Sequence, residues 1–185
     1  EPYAIAKIAA LKMCESFHKQ YGDNFYSIMP CNLYGPRDNF DLESSHVLPA
    51  LINKIHCAKM KGSPSIEVWG SGKPLREFLF VNDLSSAVIR CLGVVDAWDI
   101  EHQGISHLNC GSNDEVPISE LTNIIKSVVE YSGEVIFDTS KPDGTFRKKM
   151  DNTRITNLGF EQEYDLRSGI EKTYNWFIKN YKENC

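Results

Sequence analysis

The 185-residue sequence lacks the features that mark several classes of protein. No apolar run approaches the roughly 18 residues that span a bilayer, so no membrane partner is expected. The formal net charge is −5 at pH 7, which provides no general basic surface for nucleic acid. The length and the ordinary hydrophobic content of 42% predict a globular protein with one large domain, or a domain plus part of another.

Cysteine pairs of the C-x-x-C type are also absent. The six cysteines lie mostly among apolar residues: Cys14, Cys31, Cys57, Cys91, Cys110 and Cys185. This pattern favours reduced side chains in the cytoplasm over a disulfide framework. Because no histidine or cysteine pair has the spacing of zinc ligands, no metal site is predicted.

A Gly-rich phosphate-binding loop of the G-x-G-x-x-G type is missing as well. Gly70 and Gly72 in "WGSG" have one correct interval, but a strand and not a helix is predicted to follow them. A tight turn is the better interpretation of these two glycines. The chain therefore carries no dinucleotide fingerprint of its own.

What is present is an alternation of helix and strand patterns. The predicted helices cover residues 4–21, 46–62, 82–95, 117–133 and 166–181. The predicted strands cover residues 25–30, 66–70, 77–81, 107–111 and 134–138. Loops are predicted over 31–45 and 139–149, with Ser44 or Ser45, and Asn82 or Asp83, as helix caps. Alternating strands and helices indicate the α/β class.

The opening stretch "EPYAIAKIAALK" places Tyr3 and Lys7 four residues apart on the first predicted helix. Residues at this spacing lie on the same face of a helix. A nearby ammonium group favours loss of the proton from a phenol, whose pKa is ordinarily about 10, so the pair is suited to proton transfer. Taken alone, the spacing is also common by chance.

Four stretches together resemble the extended short-chain dehydrogenases/reductases that act on nucleotide sugars. They are "YAIAK" at 3–7, "PCNLYGPRDNF" at 30–40, "VWGSGKPLREFLFVNDL" at 68–84 and "FDTSKPDGTFRKKMD" at 137–151. The last is similar to a loop typical of the GDP-L-fucose synthase family, the GDP-4-keto-6-deoxy-D-mannose 3,5-epimerase/4-reductases. The resemblance implies that the chain corresponds to the C-terminal part of such an enzyme. The Gly-rich loop and the family's catalytic serine and cysteine would then precede residue 1.

The resemblance implies two units. Residues 1–45 would be the C-terminal part of a Rossmann cofactor domain, and residues 46–185 would form mainly a nucleotide-sugar substrate domain. Segments around 77–95 and 106–110 would return to the Rossmann part.

The resemblance also implies the catalytic and cofactor roles. Tyr3 would be the acid of a ketone reduction by NADP(H), and Lys7 would activate it and hold the nicotinamide ribose. His46 in "SSHVLPA" would be an acid–base group of the epimerisation, which suits an imidazole that titrates near neutrality. The implied cofactor-binding residues are Tyr3, Lys7, Pro30, Cys31, Asn32, Leu33 and His46.

For the substrate, the resemblance implies a GDP-sugar. Arg76 would bind the diphosphate, Trp69 would offer an aromatic face, and Asp143 would contact the guanine or ribose edge. Lys54 stands where relatives often carry arginine. The implied substrate-binding residues are Val47, Leu51, Lys54, Val68, Trp69, Arg76, Asp143 and Lys148.

The full-length enzyme would be a homodimer in the cytoplasm, with no nucleic-acid or membrane partner. One alternative is a related epimerase, reductase or dehydratase acting on another nucleotide sugar, such as a GDP-heptose. The other is a non-catalytic nucleotide-sugar binding module, since the isolated chain is expected to turn over no NADPH.

Overall fold

The computed structural model describes residues 2–181 and residue 185. Residue 1 and residues 182–184, which the two predicted units include, lie outside this part of the chain. Its helices are α1 (Pro2–Tyr21), α2 (Val47–Lys61), α3 (Val81–Val94), α4 (Ala97–His102), α5 (Ile118–Val129), α6 (Thr153–Asn157) and α7 (Leu166–Asn180). Its strands are β1 (Ile28–Pro30), β2 (Asn32–Tyr34), β3 (Ser65–Trp69), β4 (Leu75–Phe80), β5 (Leu108–Cys110), β6 (Glu115–Pro117), β7 (Glu134–Asp138) and β8 (Arg147–Lys148).

Parallel strand pairs connected through helices confirm the α/β class. Strand β1 pairs with β5, and β3 pairs with β7, both in parallel. Strand β4 is the branching element, since it runs parallel to β2 and β8 and antiparallel to β6. Strand β4 therefore touches three separate parts of the sequence.

The buried apolar side chains form two clusters. The larger one joins α2, α5 and α7 to β3 and the aromatic side chains of β2 and β4; its best-buried members include Phe40, Ile52, Ile55, Leu121, Ile125 and Ile170. The smaller one surrounds β5 and α3 and contains Leu79, Ala87, Cys91, Val95, Ile100, Leu108, Cys110, Ile155 and Phe160. Strand β4 contributes to both clusters, through Phe78 and Phe80 to one and Leu79 to the other, because successive side chains of a strand point to opposite faces.

The predicted helix ends are right in part. Gly62 ends α2 with φ +65°, as expected for a left-handed cap. The predicted serine cap of this helix is wrong, because His46 occupies the N-cap position. The predicted cap of α3 is also wrong: Phe80 precedes the helix, and the buried Asp83 carboxylate instead accepts the backbone N–H groups of Glu163 and Tyr164.

Other element boundaries also differ from the prediction, and for two strands the reason is pairing with a distant strand. Helix α5 ends at Val129, with Glu130 as its left-handed C-cap at φ +58°, and does not extend to the predicted glycine, Gly133. Strands β2 and β8 lie inside segments predicted as loops and exist because both pair with β4. The sequence pattern also missed α4, β6 and α6, which have only 6, 3 and 5 residues.

The prediction that the cysteines avoid disulfides is wrong for one pair. Cys57 on α2 is bonded to Cys185, with their Cα atoms 5.0 Å apart. The two cysteines are 128 positions apart in sequence, so no local spacing could reveal the bond. The free cysteines of the described residues are Cys14, Cys31, Cys91 and Cys110.

None of the helices in residues 2–181 combines the length and the apolar character that crossing a membrane would require.

Candidate functional site

Strand pairing places two cations of the candidate nucleotide site side by side. Arg76 on β4 lies opposite Lys148 on β8 in the parallel register. The Arg76 Nη1 group donates to the carbonyl oxygens of Leu75 and Thr145, at 2.7 Å each. These bonds hold the guanidinium against the segment 141–148, which leads into β8. The arrangement puts two positive side chains on one surface, as a diphosphate requires.

The turn after β3 is fastened to this segment by a carboxylate. Ser71 donates to Asp143 through its backbone N–H at 2.8 Å and through its hydroxyl at 2.6 Å. The hydroxyl bond is the main reason why the pKa of the Asp143 carboxyl lies below its ordinary value. Gly70 permits the contact, because its φ is +88° and a Cβ there would lie 2.5 Å from the Asp143 Oδ1 atom. We call this pair of residues the Ser71–Asp143 clip.

Trp69 lies at the end of β3, next to the clip. Its side chain is 68% exposed, and the Lys141 Nζ atom lies 5.5 Å from the ring centroid. An exposed indole beside cations offers a flat surface for stacking a base. Of the predicted substrate residues, the structure thus pairs Arg76 with Lys148 and joins Asp143 to the turn that follows Trp69.

The other predicted substrate residues lie on α2 and β3. Val47 begins α2 and is 37% exposed, whereas Lys54, two turns later, is partly buried. Leu51 and Val68 are buried in the larger core cluster. In this structure these two side chains pack beneath the surface that carries Trp69.

The predicted cofactor segment, Pro30 to Leu33, connects β1 to β2. The Cys31 N–H donates to the Cys110 carbonyl at 2.9 Å, and the Asn32 side-chain amide donates to the Glu77 carbonyl at 2.7 Å. Burial, followed by the nearby Glu77 carboxylate, raises the pKa of the Cys31 thiol to about 12. Cys31 therefore stays protonated near neutral pH and is poorly suited to act as a base.

His46 lies at the N-cap of α2, with an exposed side chain that makes no capping hydrogen bond. Asp38 lies near it: burial raises the pKa of the Asp38 carboxyl, and His46 acts in the opposite direction. An exposed imidazole beside a carboxylate can exchange protons with a ligand.

Tyr3 and Lys7 lie on the same face of α1, as predicted. The Lys7 Nζ atom is 5.4 Å from the centroid of the Tyr3 ring. All residues from 2 to 10 are exposed, and Tyr3 is 75% exposed. The helix is anchored by its other end, where the buried His18 ring contacts Trp98 and the Asp23 carbonyl.

Two residues of the site were missed by the sequence patterns. The sequence patterns place Ser71 only in a turn and Glu77 only in a strand, although Glu77 is completely buried. An acidic residue between Arg76 and the apolar run "FLF" is a weak signal of a buried carboxylate. In residues 2–181 and residue 185, no three His, Cys, Asp or Glu side chains are grouped so as to hold a metal ion.

Comparisons with known proteins agree with this geometry. A family model described as "NAD dependent epimerase/dehydratase family" matches residues 1–111. The GDP-L-fucose synthase of Escherichia coli K12 is 48% identical over 182 residues, which cover 97% of this chain and 57% of that protein. The chain thus spans a little over half the length of this relative.

Solved structures give the same result. A GDP-6-OMe-4-keto-L-xylo-heptose reductase from C. jejuni superposes with a TM-score of 0.87 at 34% identity, covering 95% of this chain and 60% of the other. A GDP-L-fucose synthetase from Naegleria fowleri with NADP bound superposes with a TM-score of 0.84 at 30% identity, covering 97% and 56%. The resemblance found in the sequence motifs is confirmed, and the chain belongs to the NAD-dependent epimerase/dehydratase family.

Proposed function

We propose that the chain is part of an NADP(H)-dependent enzyme that converts GDP-4-keto-6-deoxy-D-mannose to GDP-L-fucose by 3,5-epimerisation and 4-reduction. The observation that carries this proposal is the 48% identity to the E. coli GDP-L-fucose synthase across 97% of the chain. The pairing of Arg76 with Lys148, and the exposed Trp69 ring at the end of β3, support the GDP part of the substrate. The NADP-bound Naegleria structure supports NADP as the cofactor.

In the proposed reduction, Tyr3 donates a proton to the oxygen of the C4 ketone. NADPH supplies the hydride when it is bound. The Lys7 ammonium stabilises the phenolate that Tyr3 becomes, and the 5.4 Å separation of Lys7 Nζ from the ring suits this task. Pro30, Cys31, Asn32 and Leu33 line the proposed cofactor side.

In the proposed epimerisation, His46 exchanges a proton at a carbon next to the ketone. Such a hydrogen is acidic because the carbanion is stabilised as an enolate. The exposed imidazole of His46 at the start of α2 supports this role. His46 is also proposed to contact the cofactor.

For the nucleotide, Arg76 and Lys148 bind the diphosphate, and Trp69 contacts the base. The Asp143 carboxylate orders the turn that follows Trp69. We also propose that this carboxylate contacts the guanine or the ribose. Val47, Leu51, Lys54 and Val68 complete the proposed substrate side.

We also propose the two units expected from the sequence. The smaller core cluster, which joins Ile28, Cys31 and Leu33 to α3 and β5, supports a cofactor part formed by residues 1–45 with 77–95 and 106–110. Tyr34 and Phe40 instead pack in the larger cluster, together with the proposed substrate part, which is formed mainly by 46–185. The smaller cluster adds Ile155 and Phe160 to the cofactor part.

A homodimer of the full-length protein in the cytoplasm completes the proposal. The exposed apolar side chains of α1, among them Ile5, Ile8 and Met13, support association. The free cysteines support the cytoplasm, and the Cys57–Cys185 bond is the observation against it. Alkylation during lysis, read by peptide mass spectrometry at Cys57 and Cys185, tests this: unlabelled, bonded cysteines argue for an oxidising compartment, and labelled ones for the cytoplasm.

A second candidate function is reduction of a GDP-4-keto-heptose. The superposition on the C. jejuni heptose reductase favours it. The full-length protein is incubated with NADPH and either GDP-4-keto-6-deoxy-D-mannose or a GDP-4-keto-heptose, and the products are identified by NMR. GDP-L-fucose from the first substrate supports the main proposal, and turnover of the heptose alone selects the second. Turnover of neither rejects both.

The proposed roles can be separated in the full-length enzyme. Tyr3→Phe is expected to reduce NADPH oxidation strongly, while exchange of substrate hydrogens with D2O continues. His46→Asn is expected to reduce the exchange more than the hydride transfer. Equal losses of both activities in both variants would contradict the assignment.

A further inference from the structure

We infer that Glu77 is a positioning residue that holds the cofactor-side segment 31–33 and the nucleotide-side strand β8 at a fixed spacing. The inference rests on the proposed function, because that function assigns a ligand to each side. Glu77 lies on β4 immediately after Arg76, and its side chain is completely buried.

The Glu77 carboxylate accepts three N–H groups from two distant segments. Its Oε1 atom accepts the Asn113 backbone N–H at 2.9 Å and the Asn152 side-chain amide at 2.9 Å. Its Oε2 atom accepts the Met150 backbone N–H at 3.2 Å. All three donors are uncharged, so three hydrogen bonds, and not an ion pair, compensate the cost of burying the carboxylate.

The backbone of Glu77 reaches the cofactor side. Its carbonyl accepts the Asn32 side-chain amide at 2.7 Å, and the next residue along β4, Phe78, pairs with Asn32 in the sheet. The Glu77 carboxylate also acts on the Cys31 thiol, whose pKa it helps to raise. Glu77 therefore binds segment 31–33 through its backbone carbonyl, and its carboxylate interacts electrostatically with the Cys31 thiol in the same segment.

The same residue reaches the nucleotide side. Met150 follows Lys148 by two positions, and Lys148 pairs with Arg76 across β4 and β8. The bond from Met150 to Glu77 thus holds the chain just after β8, while Arg76 holds it just before β8 through Thr145. Both proposed diphosphate ligands depend on the register of this short strand.

Close packing prevents the network from shifting. A Cβ atom at Gly111 would lie 2.2 Å from the Glu77 Oε1 atom and 2.7 Å from the Asn152 Nδ2 atom. Burying a carboxylate is costly, and an apolar side chain often stabilises such a position equally well. A carboxylate on β4 that binds Asn113 and the segment 150–152 instead fixes the relative positions of these three parts of the chain.

The test compares two buried carboxylates in the full-length protein. Glu77→Gln replaces an acceptor by an amide whose N–H group must face another donor. The matched control is Asp83→Asn, which also alters a buried carboxylate that accepts two backbone N–H groups, but from residues 163 and 164. Asn152→Ala removes one of the three donors to Glu77, together with the bond from Asn152 to the Asn113 side chain, and replaces Glu77→Gln in the test if that variant does not fold.

GDP affinity is measured by calorimetry, melting by circular dichroism, and amide exchange by NMR. Glu77→Gln is expected to weaken GDP binding about tenfold, which corresponds to the loss of one hydrogen bond to a charged group. Asp83→Asn is expected to lower the melting temperature by a comparable amount but to keep the GDP affinity within about twofold of that of the unaltered protein. Asn152→Ala should act in the same direction as Glu77→Gln. Equal effects of Glu77→Gln and Asp83→Asn on GDP affinity would overturn the inference and leave Glu77 a structural residue.

Failure of the proposed function can be distinguished from failure of the positioning role. If the unaltered chain binds no GDP, the proposed nucleotide site is rejected, and the positioning role is judged from exchange alone. Faster exchange of the Met150 and Asn113 amides in Glu77→Gln than in Asp83→Asn, with residues 163 and 164 unchanged, supports it. Equal exchange rates overturn it.

Discussion

The two ends of the candidate site differ in how the chain holds them. At the nucleotide end, Arg76 is fixed by two carbonyl groups, and the Ser71–Asp143 clip fastens the turn beside Trp69. At the other end, Tyr3 and Lys7 face each other on a helix whose first turns are exposed. Helix spacing alone can therefore bring the two side chains of the proposed catalytic pair together, whereas a binding surface for a large ligand requires contacts between distant segments.

This comparison implies that binding and catalysis can be separated in this chain. The nucleotide end is ordered by contacts within residues 69–148, so it is expected to bind GDP. The proposed catalytic end lies on residues 2–10 of α1, which are all exposed, so the isolated chain is not expected to oxidise NADPH. Calorimetry with GDP, UDP and NADPH, together with absorbance at 340 nm, measures both.

The largest effect is expected for Arg76→Ala. It should weaken GDP binding roughly tenfold to a hundredfold, because hydrogen bonds to charged groups contribute about 1.5–3 kcal/mol. Arg167→Ala on the exposed face of α7 is the matched control and should leave the affinity unchanged. An unaltered affinity in Arg76→Ala would remove the distinction between the two ends.

A smaller effect is expected from opening the clip. Asp143→Ala and Ser71→Ala should each weaken GDP binding a few-fold, since the turn beside Trp69 loses its attachment to segment 141–148. The double variant should be no weaker than Asp143→Ala, because Asp143→Ala breaks both bonds of the clip, whereas Ser71→Ala breaks only the hydroxyl bond and keeps the backbone N–H. Additive losses by calorimetry would show that Asp143 contacts the ligand directly.

The clip should also respond to acid in a defined direction. The Ser71 hydroxyl holds the pKa of the Asp143 carboxyl below its ordinary value of 3.8. A group with a depressed folded pKa stabilises the fold above its unfolded pKa, and this contribution is lost as the pH falls through the folded value. Carbon-13 NMR titration should therefore give an Asp143 midpoint below 3.8 that rises in Ser71→Ala. An unchanged midpoint would mean that the hydroxyl bond is not formed in solution.

The smallest effects are expected at the catalytic pair. Tyr3→Phe and Lys7→Ala should change the free energy of unfolding by less than about 0.5 kcal/mol, as is usual for exposed positions. Neither should alter GDP affinity. Urea denaturation of the isolated chain measures the first quantity, and a loss above about 1 kcal/mol would show that the start of α1 packs on the fold.

Local rules predicted much of the secondary structure. Alternation of patterns gave the α/β class, and Gly62 gave the end of α2, because only the residues nearby decide these features. The Tyr3–Lys7 pair follows from helix spacing in the same way. Strands β2 and β8 escaped prediction because two- and three-residue strands have no periodicity and exist only through pairing with β4.

The sequence by itself thus determined the class, the main helices and the chemical types at the site. The tertiary structure alone decided that Asp143 binds Ser71, that Cys57 meets Cys185 and that Glu77 is buried among Asn113, Met150 and Asn152. The physical reason is distance along the chain. Each of these contacts joins residues 36 to 128 positions apart, and a contact between such segments depends on how the strands and helices pack.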